Sequence, residues 1–291
     1  MTTTLARLSR IIVVLLAAFG LAGCSAVKLG YNTLPDIAYW WLDGYIDFTD
    51  TQTPQVRGEL ARLQAWHRAE ELPRAVDLLS RMEKLATGAV TAPQVCALIT
   101  EVQARLNVVA DQAEPAVLAL AGSLTAKQLR HLERKYAAKD ETWRSEWIDI
   151  PAEERKDKRY RQMLDRAEMI YGTLDDPQRA VLRQQLGASI FDPQRIFAER
   201  LRRQQDLLQT LRKFQEAGFA PADGRALMRG YLERAQRSPD PAYRAWQAEL
   251  VQESCRTLAA VHDSTTPAQR DQAARRLRAY QRDLRELSAQ R

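Results

Sequence analysis

The side chains able to do chemistry in this sequence are few in type and scattered in position. Three histidines, His67, His131 and His262, stand far apart. None falls in a His-Glu-x-x-His or comparable metal-ligand spacing. His67 and Glu71 are four residues apart, so on a helix they share a face, and with Arg68 and Glu70 adjacent a metal or acid–base site is conceivable. A hydrogen-bonded pair fixing a break before Pro73 explains the same spacing without a ligand. His262-Asp263 reads as the ordinary cation at a helix C-terminus. There is no Gly-rich phosphate loop and no Gly-x-Ser-x-Gly elbow. The 37 acidic residues allow many carboxylate pairs and single out none. The sequence therefore predicts no catalytic residue, no metal and no cofactor: a protein that acts by binding, not an enzyme.

The cysteines are more informative. Arg7 and Arg10 precede an uncharged apolar run, Ile11 to Ala22, which ends in Leu21-Ala22-Gly23-Cys24. A positive segment, a short apolar one and small residues at a cleavage point are the order of a secretory signal. The last four residues resemble a lipobox, where bacterial signal peptidase II cuts before a cysteine that carries diacylglycerol. That predicts a signal peptide over 1–23, a lipidated (palmitate-bearing) Cys24 with a linker over 24–33, and a body over 34–291. Ser25, where an Asp would otherwise follow the lipidated cysteine, resembles the lipoproteins of Gram-negative outer membranes. The expected partners are then the membrane, through the N-terminal lipid, and an envelope protein partner or client facing the periplasm. Two other readings compete. Ile11 to Val27 could be a membrane span, though it falls short of the roughly 20 residues a span needs. It could also be an ordinary cleaved signal beside a chance cysteine.

With Cys24 acylated, Cys96 and Cys255 remain. An oxidising compartment would let them form one disulfide; the alternative is two small buried hydrophobes. Spacing cannot choose, because geometry decides. The net charge of +6 is mild and includes Arg7 and Arg10. Such a balance, mostly arginine, in a secreted chain does not point to nucleic acid. The arginine-rich stretch Arg195 to Lys213 could face anionic headgroups or be a solvated helix face, and the latter is the expectation.

The elements that must position these residues read as helices nearly throughout, with no strand alternation. An all-α bundle of about nine or ten helices is expected, with a candidate sub-boundary at 187–193. Leu34 to Phe48 concentrates Tyr39, Trp40, Trp41, Tyr45 and Phe48; interleaved aspartates favour packing over lying at a membrane interface. Val95, Ile99, Val102, Leu106 and Val109 step by three and four, an apolar helix stripe, with Pro115 interrupting it or opening a fresh turn. Residues 153–159 are charged on every face and read as a solvated helix start. Thr91, Thr125, Thr266 and Asp175 each precede a Gln by three residues, the spacing of a capping box.

Leu124-Thr125-Ala126-Lys127-Gln128 resembles the Leu-Thr-x-x-Gln motif of the Spy and CpxP periplasmic helical proteins. That motif implies an ATP-independent chaperone or stress regulator, although capping alone accounts for it. A broader resemblance rests on the lipobox, Tyr31-Asn32, Trp41-Leu42-Asp43-Gly44-Tyr45, Trp66-His67-Arg68 with Glu71-Leu72-Pro73, and Cys255 followed by residues 265–270. It is similar to an uncharacterised family of proteobacterial lipoproteins, a domain of unknown function. The resemblance implies an envelope location and makes Trp66, His67, Arg68, Glu71 and Pro73 a family motif. It supplies no reaction or ligand.

Overall fold

The structure is a computed structural model that describes residues 26–216 and 221–290. The signal segment and Cys24 lie outside the described residues. Eleven α-helices follow a short helical segment at 26–32, and no strand occurs among the described residues. They are α1 Leu34–Ile46, α2 Gln52–Trp66, α3 Leu72–Ala86, α4 Ala92–Ser123, α5 Ala126–Trp143, α6 Ala152–Tyr171, α7 Asp176–Gly187, α8 Pro193–Lys213, α9 Pro221–Gln236, α10 Pro241–Ser264 and α11 Pro267–Ala289. The all-α expectation holds.

All four expected capping boxes form. Thr91, Thr125, Asp175 and Thr266 each accept from the backbone N–H three residues on, and the Gln there accepts the cap's own N–H. A fifth was not anticipated. The Thr49 hydroxyl accepts from Gln52 N–H at 3.3 Å, and Gln52 Oε1 accepts from Thr49 N–H at 3.1 Å. Each cap is local, so the sequence spacing sufficed to find the others.

Four of these glutamines then do a second, non-local thing. Gln128 donates to Gln52 Oε1 at 2.6 Å, joining the starts of α5 and α2. Gln178 donates to Gln269 Oε1 at 2.7 Å, joining the starts of α7 and α11. Each amide also reaches a carbonyl two residues ahead of its partner's cap. Gln52 donates to Ser123 O, Gln128 to Asp47 O and Gln178 to Ser264 O, each at 3.1 Å, and Gln269 donates to Thr173 O at 2.9 Å. The result is two clasps with the same wiring, which satisfy carbonyls that the ends of the preceding segments would leave unpaired.

The clasps sit over different cores. Around the first, Ala121, Leu124, Leu129, Leu132, Leu208, Leu211 and Met228 pack together from α4, α5, α8 and α9 and the joint before α5. Around the second, Leu174, Leu182 and Val261 form one cluster and Ala86, Ala273 and Leu277 another. The most extensive helix pairing is α3 along α11. Each cluster takes residues from both sides of 187–193. The 32-residue α4, about 48 Å long at 1.5 Å per residue, connects the two regions. Its beginning packs on α10 and its end on α2 and α9.

Two expectations about proline change. The chain does not break before Pro73: α2 continues into α3 through a single π turn, His67–Glu71, in which Leu72 N–H donates to His67 O. The wider turn puts Pro73 at the start of the next helix, where a missing N–H costs nothing. Pro115 neither interrupts nor restarts α4, which runs through it. The carbonyl it deprives of a partner belongs to the exposed Asp111, so water can satisfy it.

Candidate functional site

The motif residues converge on the segment nearest the N-terminus. The Tyr31 hydroxyl lies 3.0 Å from His67 Nδ1, Arg68 donates to Asn32 Oδ1 at 2.8 Å, and Gln64 donates to the Tyr31 carbonyl. Trp66 meets His67 edge-on. The partner of His67 is therefore Tyr31, not Glu71. In the π turn Glu71 turns away, buried, toward Arg74 at 3.6 Å and Arg105 at 3.5 Å. Pro73 stays exposed. Burial pushes the His67 imidazole below its ordinary value, with the Glu71 charge opposing, and pushes the Tyr31 phenol up. Lys28 pairs with Glu286 on α11. Residues 28–32 of the expected linker are thus held against α2, the π turn and α11.

The other histidines hold backbone. His131 Nε2 lies 3.4 Å from Gly44 O. His262 lies in the last turn of α10, as expected, and is buried. Its Nε2 lies 2.7 Å from Gly88 O, and because a carbonyl only accepts, Nε2 donates. Nδ1 then accepts from the Tyr171 hydroxyl at 2.9 Å. Burial holds that phenol up at about 12. Cys96 and Cys255 form a disulfide, Cα–Cα 5.4 Å, which ties the first turn of α4 to α10. No three His, Cys, Asp or Glu gather to hold a metal among the described residues, and no described helix is long and apolar enough to cross a membrane.

The arginines of α8 are neither a basic nor a merely solvated face. Arg202 and Arg203 both donate to the buried Glu199, Arg200 to Asp140, Arg212 to Glu133, and Arg202 also to Asp206. Burial pushes the Glu199 carboxyl up, but hydrogen bonds from Arg202, Arg203 and Ser238 outweigh it and hold the group below its usual range.

Most of the exposed large apolar side chains among the described residues lie in 26–46 and on α4. The aromatic cluster divides: Tyr39 is buried and Phe48 stacks on it, while Trp40 and Trp41 are 65% and 62% exposed. The α4 stripe divides too. Near Cys96 it packs on α10, but Val102, Leu106 and Val117 are exposed. Beside Val117, an apolar groove of about 450 Å³ opens between α2 and α4, walled by Leu42, Val56, Leu60, Leu63, Ala113 and Leu120. Gln55, Glu59, Arg62 and Gln112 border it. Across Leu42 a second cavity of about 430 Å³ is lined by Tyr45, Tyr136, Tyr231, Arg200, Arg203 and Gln204 over apolar walls. Burial pushes the Tyr136 phenol far above its ordinary value and Tyr231 up as well. These hydroxyls are set to donate hydrogen bonds, not to exchange protons near neutral pH. Periodicity could not find either cavity, because both are made between helices.

Residues 44–244 match a family described as a family of unknown function, DUF6279. The chain belongs to the DUF6279 family. No curated protein and no solved structure matches it. The DUF6279 stretch includes the π turn, most of the wall of both cavities and the arginine network of α8. It begins after Trp40 and Trp41 and ends before Cys255.

Proposed function

We propose that this DUF6279 protein is a lipid-anchored envelope protein, held by Cys24 on the periplasmic face of an outer membrane. It acts by seating an apolar segment of another protein in the groove between α2 and α4. The observation that carries this reading is the uncovered apolar stripe of α4 beside that groove. Contiguous exposed apolar surface marks interaction sites more often than chance. A groove between two helices, apolar within and polar at its borders, suits the apolar face of an amphipathic helix. The proposal assigns no reaction and no cofactor.

A photo-reactive residue at Val117 tests it in cells, with Arg166 on the far α6 as control. Adducts at Val117 well above those at Arg166, lost on Leu60→Asp, are expected. Equal labelling at the two sites would sink the groove reading. The adducts also separate two modes of action. One stoichiometric partner indicates a subunit of an envelope complex. Many substoichiometric adducts indicate a holdase, which should then suppress light scattering by an aggregating client at equimolar ratio.

A further inference from the structure

Residues 26–46 present a second apolar surface beside the groove, with Trp41 also at the edge of the second cavity. Leu34, Ile37, Trp40 and Trp41 are 48%, 55%, 65% and 62% exposed. At 3.6 residues per turn these four fall within an arc of about 120°, opposite the buried Tyr39. Leu29, 67% exposed, extends the surface toward the N-terminus.

The occupant is indicated by where the chain goes. Residue 26 is the first described, and Cys24 is two positions earlier. Two residues reach at most about 7 Å, so an acyl anchor on Cys24 is confined to the mouth of the segment at 26–32. That segment is pinned to the body through Tyr31, Asn32 and Lys28. A lipid there brings the start of α1 close to the same surface, and the exposed face of the helix can then lie along it. Tryptophan is the residue that settles at headgroup level, with its ring between water and acyl chain.

The interleaved aspartates do not oppose this. Asp36 is paired with Arg57 at 2.6 Å. Asp43 accepts from Phe48 N–H at 2.9 Å, and Asp47 lies 3.6 Å from Lys127. Lys135 stands beside Gly44 and over the Tyr45 ring, adding a cation at the margin of the face.

We infer that this face of α1 lies on the membrane into which Cys24 is anchored, with Trp40 and Trp41 at headgroup depth, so that the lipid and the helix together fix the orientation of the body. The inference rests on the lipid-anchor reading. The occupant is a bilayer surface of phosphatidylethanolamine with a minority of anionic phosphatidylglycerol.

The test uses the full acylated chain reconstituted into such vesicles, with acyl chains brominated to quench tryptophan. Flotation reports the anchor and quenching reports the face. Two of the six tryptophans lie on α1, so quenching of roughly a third of the emission is expected, and it should vanish in Trp40→Phe/Trp41→Phe. Protein that floats but is quenched equally in the wild type and that variant overturns the inference and leaves the anchor standing. A Cys24→Ala chain that is still quenched supports the face and separates it from the anchor. A wild-type chain that does not float and is not quenched overturns both. Cross-linking through position 40 that yields a dimer or a protein adduct instead of lipid contact also overturns it.

Discussion

The two glutamine clasps have the same wiring and unlike neighbourhoods. Behind the Gln178–Gln269 clasp the surface is closed to apolar partners: the cleft of about 590 Å³ between α3 and α4 is lined by charged side chains, among them Arg74, Asp77, Arg81, Lys84, Glu101 and Arg105. His262 holds Gly88 and Tyr171, the disulfide joins α4 to α10, and α3 lies along α11. Behind the Gln52–Gln128 clasp the core is equally well formed, but α1 turns two tryptophans outward and two cavities open on either side of Leu42. Of the ten exposed large hydrophobic residues among those described, eight belong to residues 26–46 or to α4. The same helix-start device thus supports a closed end and an open one. The difference lies in what covers the helices, which is where binding is to be sought.

The largest expected effect lies at the closed end. Its disulfide spans 159 residues of sequence, and the loop-entropy account assigns such a closure about 5 kcal/mol as an upper figure. Replacing both Cys96 and Cys255 with Ser should lower the urea midpoint strongly. Adducts at Val117, at the other end of α4, should persist in the folded fraction. Loss of groove labelling in protein still folded by circular dichroism would show that the two ends are not separable.

The clasps themselves come next. Gln178→Leu removes the side-chain donor to the Ser264 carbonyl and the bonds to Gln269, which keeps Thr173 O and the Thr266 N–H, and a buried polar group left unpaired costs about 1–3 kcal/mol. Gln128→Leu likewise strips Asp47 O of its side-chain donor and Gln52 of one bond. Gln94, exposed in its capping box and joined to no second helix start, serves as the control: Gln94→Leu should cost about 1 kcal/mol or less, in the range of a single cap. Chemical denaturation of the three variants reads the contrast. Equal losses would mean that the second bonds of the clasp glutamines add nothing beyond capping.

This contrast also marks what the sequence could and could not disclose. Capping boxes and helix periods are local, so Thr91, Thr125, Asp175 and Thr266 announced their helices and the all-α class followed. The pairing of Gln52 with Gln128 joins residues far apart in the chain, and no spacing encodes it. Tyr31-Asn32 and Trp66-His67-Arg68 were noticeable as motifs, but only the fold brings them together. Pro73 signalled a disturbance without saying that a π turn would absorb it. The aromatic run at 39–48 showed composition but not direction: one helix carries both Tyr39, inward, and Trp40 and Trp41, outward. The stripe on α4 was plain in the sequence, but apolar period alone cannot tell a covered face from an open one.

The smallest effect lies at the open end, in the contact between Tyr31 and His67. His67, half-buried against Tyr31, has its folded-state value lowered by burial. The unfolded chain therefore binds a proton there more readily than the folded chain does. Stability falls as pH drops through the ordinary histidine range toward the lowered folded value, then levels off, and the loss is recovered above it. His67→Gln should flatten that part of the stability–pH curve and leave the acid limb in place. That limb reflects carboxylates held low in the fold, among them Asp206, by its hydrogen bonds and charge pairing with Arg234, and Glu83, by hydrogen bonds from Arg278 and Gln281. Denaturation midpoints of wild type and variant across the histidine range provide the measurement. Because His67 anchors the segment that leads from Cys24 into α1, its protonation should loosen the open end first. Faster amide exchange at residues 26–33 on acidification in the wild type, absent in His67→Gln, is the expected pattern. Equal acceleration in wild type and His67→Gln would take the pH-sensitive contact away from His67.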